Sequence, residues 1–221
     1  MKFLCVEGTT ELEAALAGAL NKELTDNKLV LWLVPGGSNL KTVVKVMNSL
    51  ESKDFSRLTI ALTDERYGEP GHKDSNFFQL RQLGLDTRGA IFLDLLKGKS
   101  LKKTVTESGL AMEKLFTYAD SIIGFFGMGP DGHIAGILPH SLAAVNDETW
   151  MIGYDAGQFI RMTLTPFALS HINNAFVGAF GAEKLVALTN LHDKMLPIAD
   201  QPAQILRHLP DTSVYNNQIG D

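Results

Sequence analysis

Asp131 and His133 stand two residues apart at the end of the stretch Gly127-Met128-Gly129-Pro130-Asp131-Gly132-His133. An imidazole, with an ordinary pKa of about 6.5, takes a proton from water near neutral pH, and a neighbouring carboxylate fixes its tautomer or orients the water. The pair also reads as a turn aspartate and a backbone-bonded histidine at a helix start. The stretch spells Gly-x-Gly-x-x-Gly, the dinucleotide-binding pattern. Two features speak against a nicotinamide cofactor: Asp131 would set a carboxylate against the pyrophosphate, and Pro139 comes too soon for the long helix the pattern should open. What remains is a tight loop that presents one aspartate and one histidine.

Further polar clusters follow apolar runs. In Gly36-Gly37-Ser38-Asn39 the glycines let backbone approach a ligand, and a following helix would offer free amides to a phosphate. The same residues also suit a plain turn with Ser38 or Asn39 as helix N-cap. The cluster lacks the Gly-Lys-Ser/Thr ending of a Walker loop, and Leu40 occupies the closing-glycine place of a nucleophile elbow. Asp64-Glu65-Arg66-Tyr67 sets three charges after a strand-like run; Arg66 can clamp a phosphate or carboxylate, or the triplet can be a solvated turn. Arg161, inside the apolar run 159–164, needs a partner if buried, and an anionic ligand would be one. Lys184 follows Gly181-Ala182-Glu183 near an expected helix start. No Cys/His cluster or His-Glu-x-x-His pattern supports metal catalysis, and no cofactor is expected.

The elements that must position these residues alternate. Apolar runs at 29–34, 57–63, 121–126 and 175–180 read as buried strands, with helices expected at 9–25, 40–50, 100–118 and 181–192. The pattern predicts a single α/β domain over 1–221, a mostly parallel Rossmann-like sheet flanked by helices on both faces. In such sheets ligands bind beyond the carboxyl ends of the strands, where the polar clusters fall.

Composition narrows the partners. A net charge of −5 and a pI near 5.7 argue against nucleic acid. Cys5, the only cysteine, lies in an apolar segment and reads as a buried, inert thiol, which fits a reducing compartment. No run approaches the roughly 18 apolar residues of a membrane span and no signal peptide is evident, so a cytoplasmic location is expected.

Taken in order, the clusters resemble the 6-phosphogluconolactonase family, whose relatives include the glucosamine-6-phosphate deaminases. The resemblance runs through Gly36-Gly37-Ser38, Asp64-Glu65-Arg66-Tyr67 with Asp74-Ser75-Asn76, Gly127 to Ala135, Arg161 to Thr165, and Gly181 to Lys184. It implies a phosphorylated sugar lactone as substrate, its phosphate held by Gly36, Gly37, Ser38, Arg161 and Lys184. Asp64 would join the substrate site, His133 would serve as general base beside Asp131, and Arg66 would lie near the sugar acid. Deaminases carry a glutamate five positions past the histidine, where this chain has Leu138, and usually lack an arginine in the place of Arg66. Asn39-Leu40 and Ile134-Ala135-Gly136 depart from the lactonase spellings Thr-Pro and Thr-Ala-Ser, and His-Ile-Ala is the deaminase-like one. Two rivals are therefore carried forward, a deaminase or isomerase with Asp64 as base and a sugar-phosphate-binding protein with weakened chemistry.

Overall fold

Runs that are apolar on both sides must be covered on both sides, and the chain answers with a parallel sheet under helices. The computed structural model describes residues 1–52, 54–146 and 148–220. In chain order it runs β1 (Lys2–Cys5), α1 (Thr10–Thr25), β2 (Val30–Val34), α2 (Leu40–Ser49), β3 (Leu58–Leu62), β4 (Asp64–Arg66), α3 (Asn76–Gln82) and β5 (Ile91–Leu93). It continues through α4 (Leu101–Tyr118), β6 (Ser121–Gly127), β7 (Met151–Asp155), β8 (Ile160–Leu164), α5 (Pro166–Leu169), β9 (Asn174–Ala179), α6 (Leu185–Asp193) and β10 (Asp211–Asn216).

Seven strands form one sheet in the order β1-β10-β9-β6-β2-β3-β5, every pair parallel. All five residues of β2 are buried, and Trp32, Phe125 and Phe126 fill the centre. Over this core α1 lays Leu12, Leu16, Leu20 and Leu24, spaced by four and buried, while Glu11 and Glu13 sit at its positive N-terminal end.

From β2 the chain moves outward to β3 and β5, whereas β6 sits on the other side of β2 and leads toward β9 and β10. The β2/β6 boundary is therefore the switch point of the sheet, and the crevice beyond it is where an open α/β sheet accepts a ligand. The loops after β2 and β6 carry Gly36–Ser38 and Gly127–His133.

A second, antiparallel sheet in the order β4-β8-β7 stands beside this crevice. The charged triplet expected as a loop after a strand is itself the strand β4. Its alternation explains the charges: Asp64 and Arg66 share one face with their cross-strand partners Thr163 and Arg161, and Glu65 points the other way. Cys5 lies on the edge strand β1 and is exposed, which corrects the buried thiol expected from its apolar neighbours. No helix among the described residues is long and apolar enough to cross a membrane.

Candidate active site

The crevice holds an open cleft of about 600 Å³, and every cluster picked out from the sequence contributes to it. Gly36, Gly37 and Ser38 come from the turn after β2; Asp64 and Arg66 from β4; His133 from the loop after β6; Arg161 from β8; Lys184 from the turn before α6. Three permanent cations face one permanent carboxylate among these residues, so the cleft favours an anion although the whole chain is acidic.

The histidine end is built by a tight loop. His133 Nδ1 lies 2.6 Å from Asp131 Oδ1, and the His133 backbone N–H donates to the same oxygen at 3.1 Å. With Nδ1–H given to the carboxylate, the neutral ring keeps its lone pair on Nε2. Burial pushes the Asp131 carboxyl up, but hydrogen bonds from the His133 side chain and backbone outweigh it and hold it below the ordinary value of 3.8. No helix follows the glycines, which removes both the dinucleotide reading and the helix-start reading of His133.

Side chains, most of them outside the sequence motifs, support this loop. Gly132 has φ +78°, and a Cβ there would fall 2.4 Å from Gln201 Cγ, so only glycine fits. Buried Gln201 donates from Nε2 to the Ala187 carbonyl of α6 at 2.7 Å, and Ala203 N–H donates to the Gly132 carbonyl at 3.0 Å. On the far side, Tyr154 Oη donates to the Gly136 carbonyl at 2.6 Å, and Thr163 Oγ1 accepts from Gly136 N–H at 3.0 Å. A side chain at 136 would press on Thr163 and Asp64, whose Cβ atoms lie within 2.9 and 3.0 Å of its Cβ position, so the departure at Gly136 fits the crowding around it. No sequence signal marks Gln201, which stands between Asp200 and Pro202 and gains its role only from the partner the fold brings to it.

The opposite end is a glycine turn. Gly37 takes φ +67°, and a Cβ on Gly36 would collide with the Asn76 amide at 2.3 Å. Asn39, one of the two N-cap candidates, does occupy the N-cap position of α2, but its side chain makes no capping bond; it is buried and donates to the Gly178 carbonyl at 3.3 Å, bracing the turn against β9. Arg161 Nη1 lies 3.3 Å from Asp64 Oδ2. Arg66 donates to the Asp74 carbonyl at 2.8 Å and stacks its guanidinium 5.3 Å from the Phe159 ring centre. Lys184 Nζ reaches the Met128 carbonyl at 2.6 Å, tying the last cation to the loop after β6.

Glu65 is buried and serves the frame. It accepts from the backbone N–H groups of Arg66, Asn76 and Phe77 and from the Ser75 hydroxyl, fastening β4 to the start of α3. Burial pushes its carboxyl up and these donors pull it back only in part, leaving it above the ordinary 4.5. His140, although near the loop in sequence, lies outside the cleft, 3.6 Å from Asp200 on the surface. Among the described residues, no group of three or more His, Cys, Asp or Glu side chains is gathered so as to hold a metal ion.

Comparison with known proteins gives the site a context. Residues 7–214 match the family described as glucosamine-6-phosphate isomerases/6-phosphogluconolactonase. A 6-phosphogluconolactonase of Xylella fastidiosa is 30% identical over 195 residues, covering 83% of this chain and 80% of the relative. The fold matches a 6-phosphogluconolactonase structure from Shewanella baltica with a TM-score of 0.80 at 23% identity, over 98% of this chain and 97% of that one. It matches a monomeric glucosamine-6-phosphate deaminase equally well, with a TM-score of 0.80 at 14% identity, over 99% and 98%. Architecture alone therefore does not separate the two chemistries.

Proposed function

The chain belongs to the family of glucosamine-6-phosphate isomerases and 6-phosphogluconolactonases, and on that footing we propose that it hydrolyses 6-phospho-D-glucono-1,5-lactone to 6-phosphogluconate with a water activated by His133. The observation that carries this reading is the 2.6 Å contact of His133 Nδ1 with Asp131 at one end of a cleft in which the cations Arg66, Arg161 and Lys184 outnumber the carboxylate Asp64.

Gly36–Ser38, Arg161 and Lys184 anchor the phosphate. His133 Nε2 takes a proton from water as its oxygen bonds to the lactone carbonyl carbon, and Asp131 stabilises the imidazolium that forms. Arg66 or loop amides steady the oxyanion. Collapse of the tetrahedral adduct breaks the bond to the ring oxygen, which takes the proton back from His133. The product acid then releases one proton to solvent. No covalent intermediate is required.

The deaminase reading is less well supported. It needs Asp64 as a mobile base, but that carboxylate is engaged by Arg161 and by the Thr63 hydroxyl at 3.3 Å. Apolar Leu138 also stands where the deaminases place their glutamate. Adding the protein to freshly made lactone should form 6-phosphogluconate well above the spontaneous rate. A rate equal to the blank would refute the proposal.

A further inference from the structure

The segment following β10 reaches back to the turn that carries Lys184. Gly181 has φ +116°, and its peptide groups are gripped from two sides. Its N–H donates to Asn217 Oδ1 at 3.2 Å, and its carbonyl accepts from Gln218 Nε2. The same carbonyl accepts the Lys184 backbone N–H at 3.0 Å, so the grip passes directly to the lysine.

The gripping residues are themselves fixed. Asn216, fully buried at the end of β10, accepts from Gln218 N–H at 2.9 Å and from Ile219 N–H at 2.8 Å, and its amide donates to the Ile219 carbonyl at 2.9 Å. These bonds turn the chain so that Asn217 and Gln218 meet Gly181. At the far end Lys184 Nζ meets Met128 O. A lysine on a flexible stem pays a large entropic cost to hold one geometry, and fixing its backbone lowers that cost.

We propose that Asn217 and Gln218 are positioning residues that set Lys184 at the phosphate end of the cleft through the Gly181 peptide. The inference rests on the lactonase reading and on the place it gives Lys184. It assigns function to a stretch that carries no motif and contributes no side chain to the cleft.

The test measures binding and turnover separately, on Gln218→Ala, Asn217→Ala and the double variant. The dissociation constant of 6-phosphogluconate, by calorimetry, should rise about three- to tenfold for a single variant, the size expected for one lost neutral hydrogen bond. The KM for the phospholactone should rise in parallel while kcat holds. Specificity for the phospholactone over D-glucono-1,5-lactone, which lacks a phosphate, should fall by a similar factor. An unchanged dissociation constant, or a loss of kcat with KM constant, would overturn the proposal. A thermal melt identifies a misfolded double variant, in which case the milder Asn217→Ala decides. Should the wild type bind 6-phosphogluconate without hydrolysing the lactone, the lactonase reading fails, and the clamp is judged on the dissociation constants alone.

Discussion

His133 depends on Asp131 for its tautomer, so replacing the carboxylate with an amide should misdirect the ring. Asp131→Asn is expected to lower kcat about 10²- to 10⁴-fold with KM little changed, measured by steady-state kinetics. The pair also leaves a mark on stability. Because the folded-state carboxyl titrates below its ordinary 3.8, the ionised form is favoured by folding. Its contribution is present above pH 3.8 and is lost as pH falls through the lower folded value. Thermal melts of wild type and Asp131→Asn should differ above pH 3.8 and converge as pH falls through the lower folded value. At the end proposed to hold the phosphate, Lys184→Ala or Arg161→Ala should raise KM about ten- to hundredfold, the loss expected for a charge-assisted contact with phosphate. An unchanged KM would remove that residue from the anchor.

At the scale of elements, the site exists because strands of two sheets end at one place. The turn after β2 tolerates no side chain at Gly36, where a Cβ would sit 2.3 Å from the Asn76 amide. Gly36→Ala should therefore displace the turn or Asn76, raising KM about 5- to 150-fold, the equivalent of about 1 to 3 kcal/mol in binding when a buried hydrogen bond is broken, while far-ultraviolet circular dichroism stays native. The strands β2, β3, β6 and β9 were legible because continuous apolar runs closed by Pro35-Gly36, Asp64, Gly127 and Gly181 leave few other readings. β4 was not, because three consecutive charges carry no strand signal; its stability comes from pairing with β8 and from the donors that α3 offers Glu65. α3 was not expected from the sequence; its cap, Ser75, has its hydroxyl accept from Phe78 N–H in the structure. β10 escaped notice because Asp211, Ser213 and Asn216 dilute its apolar residues, and Cys5 was misjudged because periodicity cannot tell an edge strand from a central one. The clusters that line the cleft were readable as residue types. Their supports, Gln201, Tyr154 and Asn76, were not, since a buried amide or phenol gains its meaning only from a partner distant in sequence.

For the whole molecule, the architecture is shared with structures of a lactonase and of a deaminase, so the choice between the two chemistries falls to the side chains of the cleft. An acidic chain with a locally cationic cleft should hold small anions there and little elsewhere. Inorganic phosphate should accordingly act as a competitive inhibitor, raising KM without changing kcat. Glucosamine 6-phosphate should yield no ammonia, because Asp64 is engaged by Arg161 and Leu138 offers no carboxylate. The proposed reaction depends above all on His133 as the base that activates water. The direct measurement is proton release from freshly prepared 6-phosphogluconolactone, corrected for spontaneous opening, in wild type and His133→Ala. Rapid release by the wild type, with a loss of about 10²- to 10⁴-fold in the variant and 6-phosphogluconate binding retained, is the predicted result. Near-normal release by His133→Ala would contradict it.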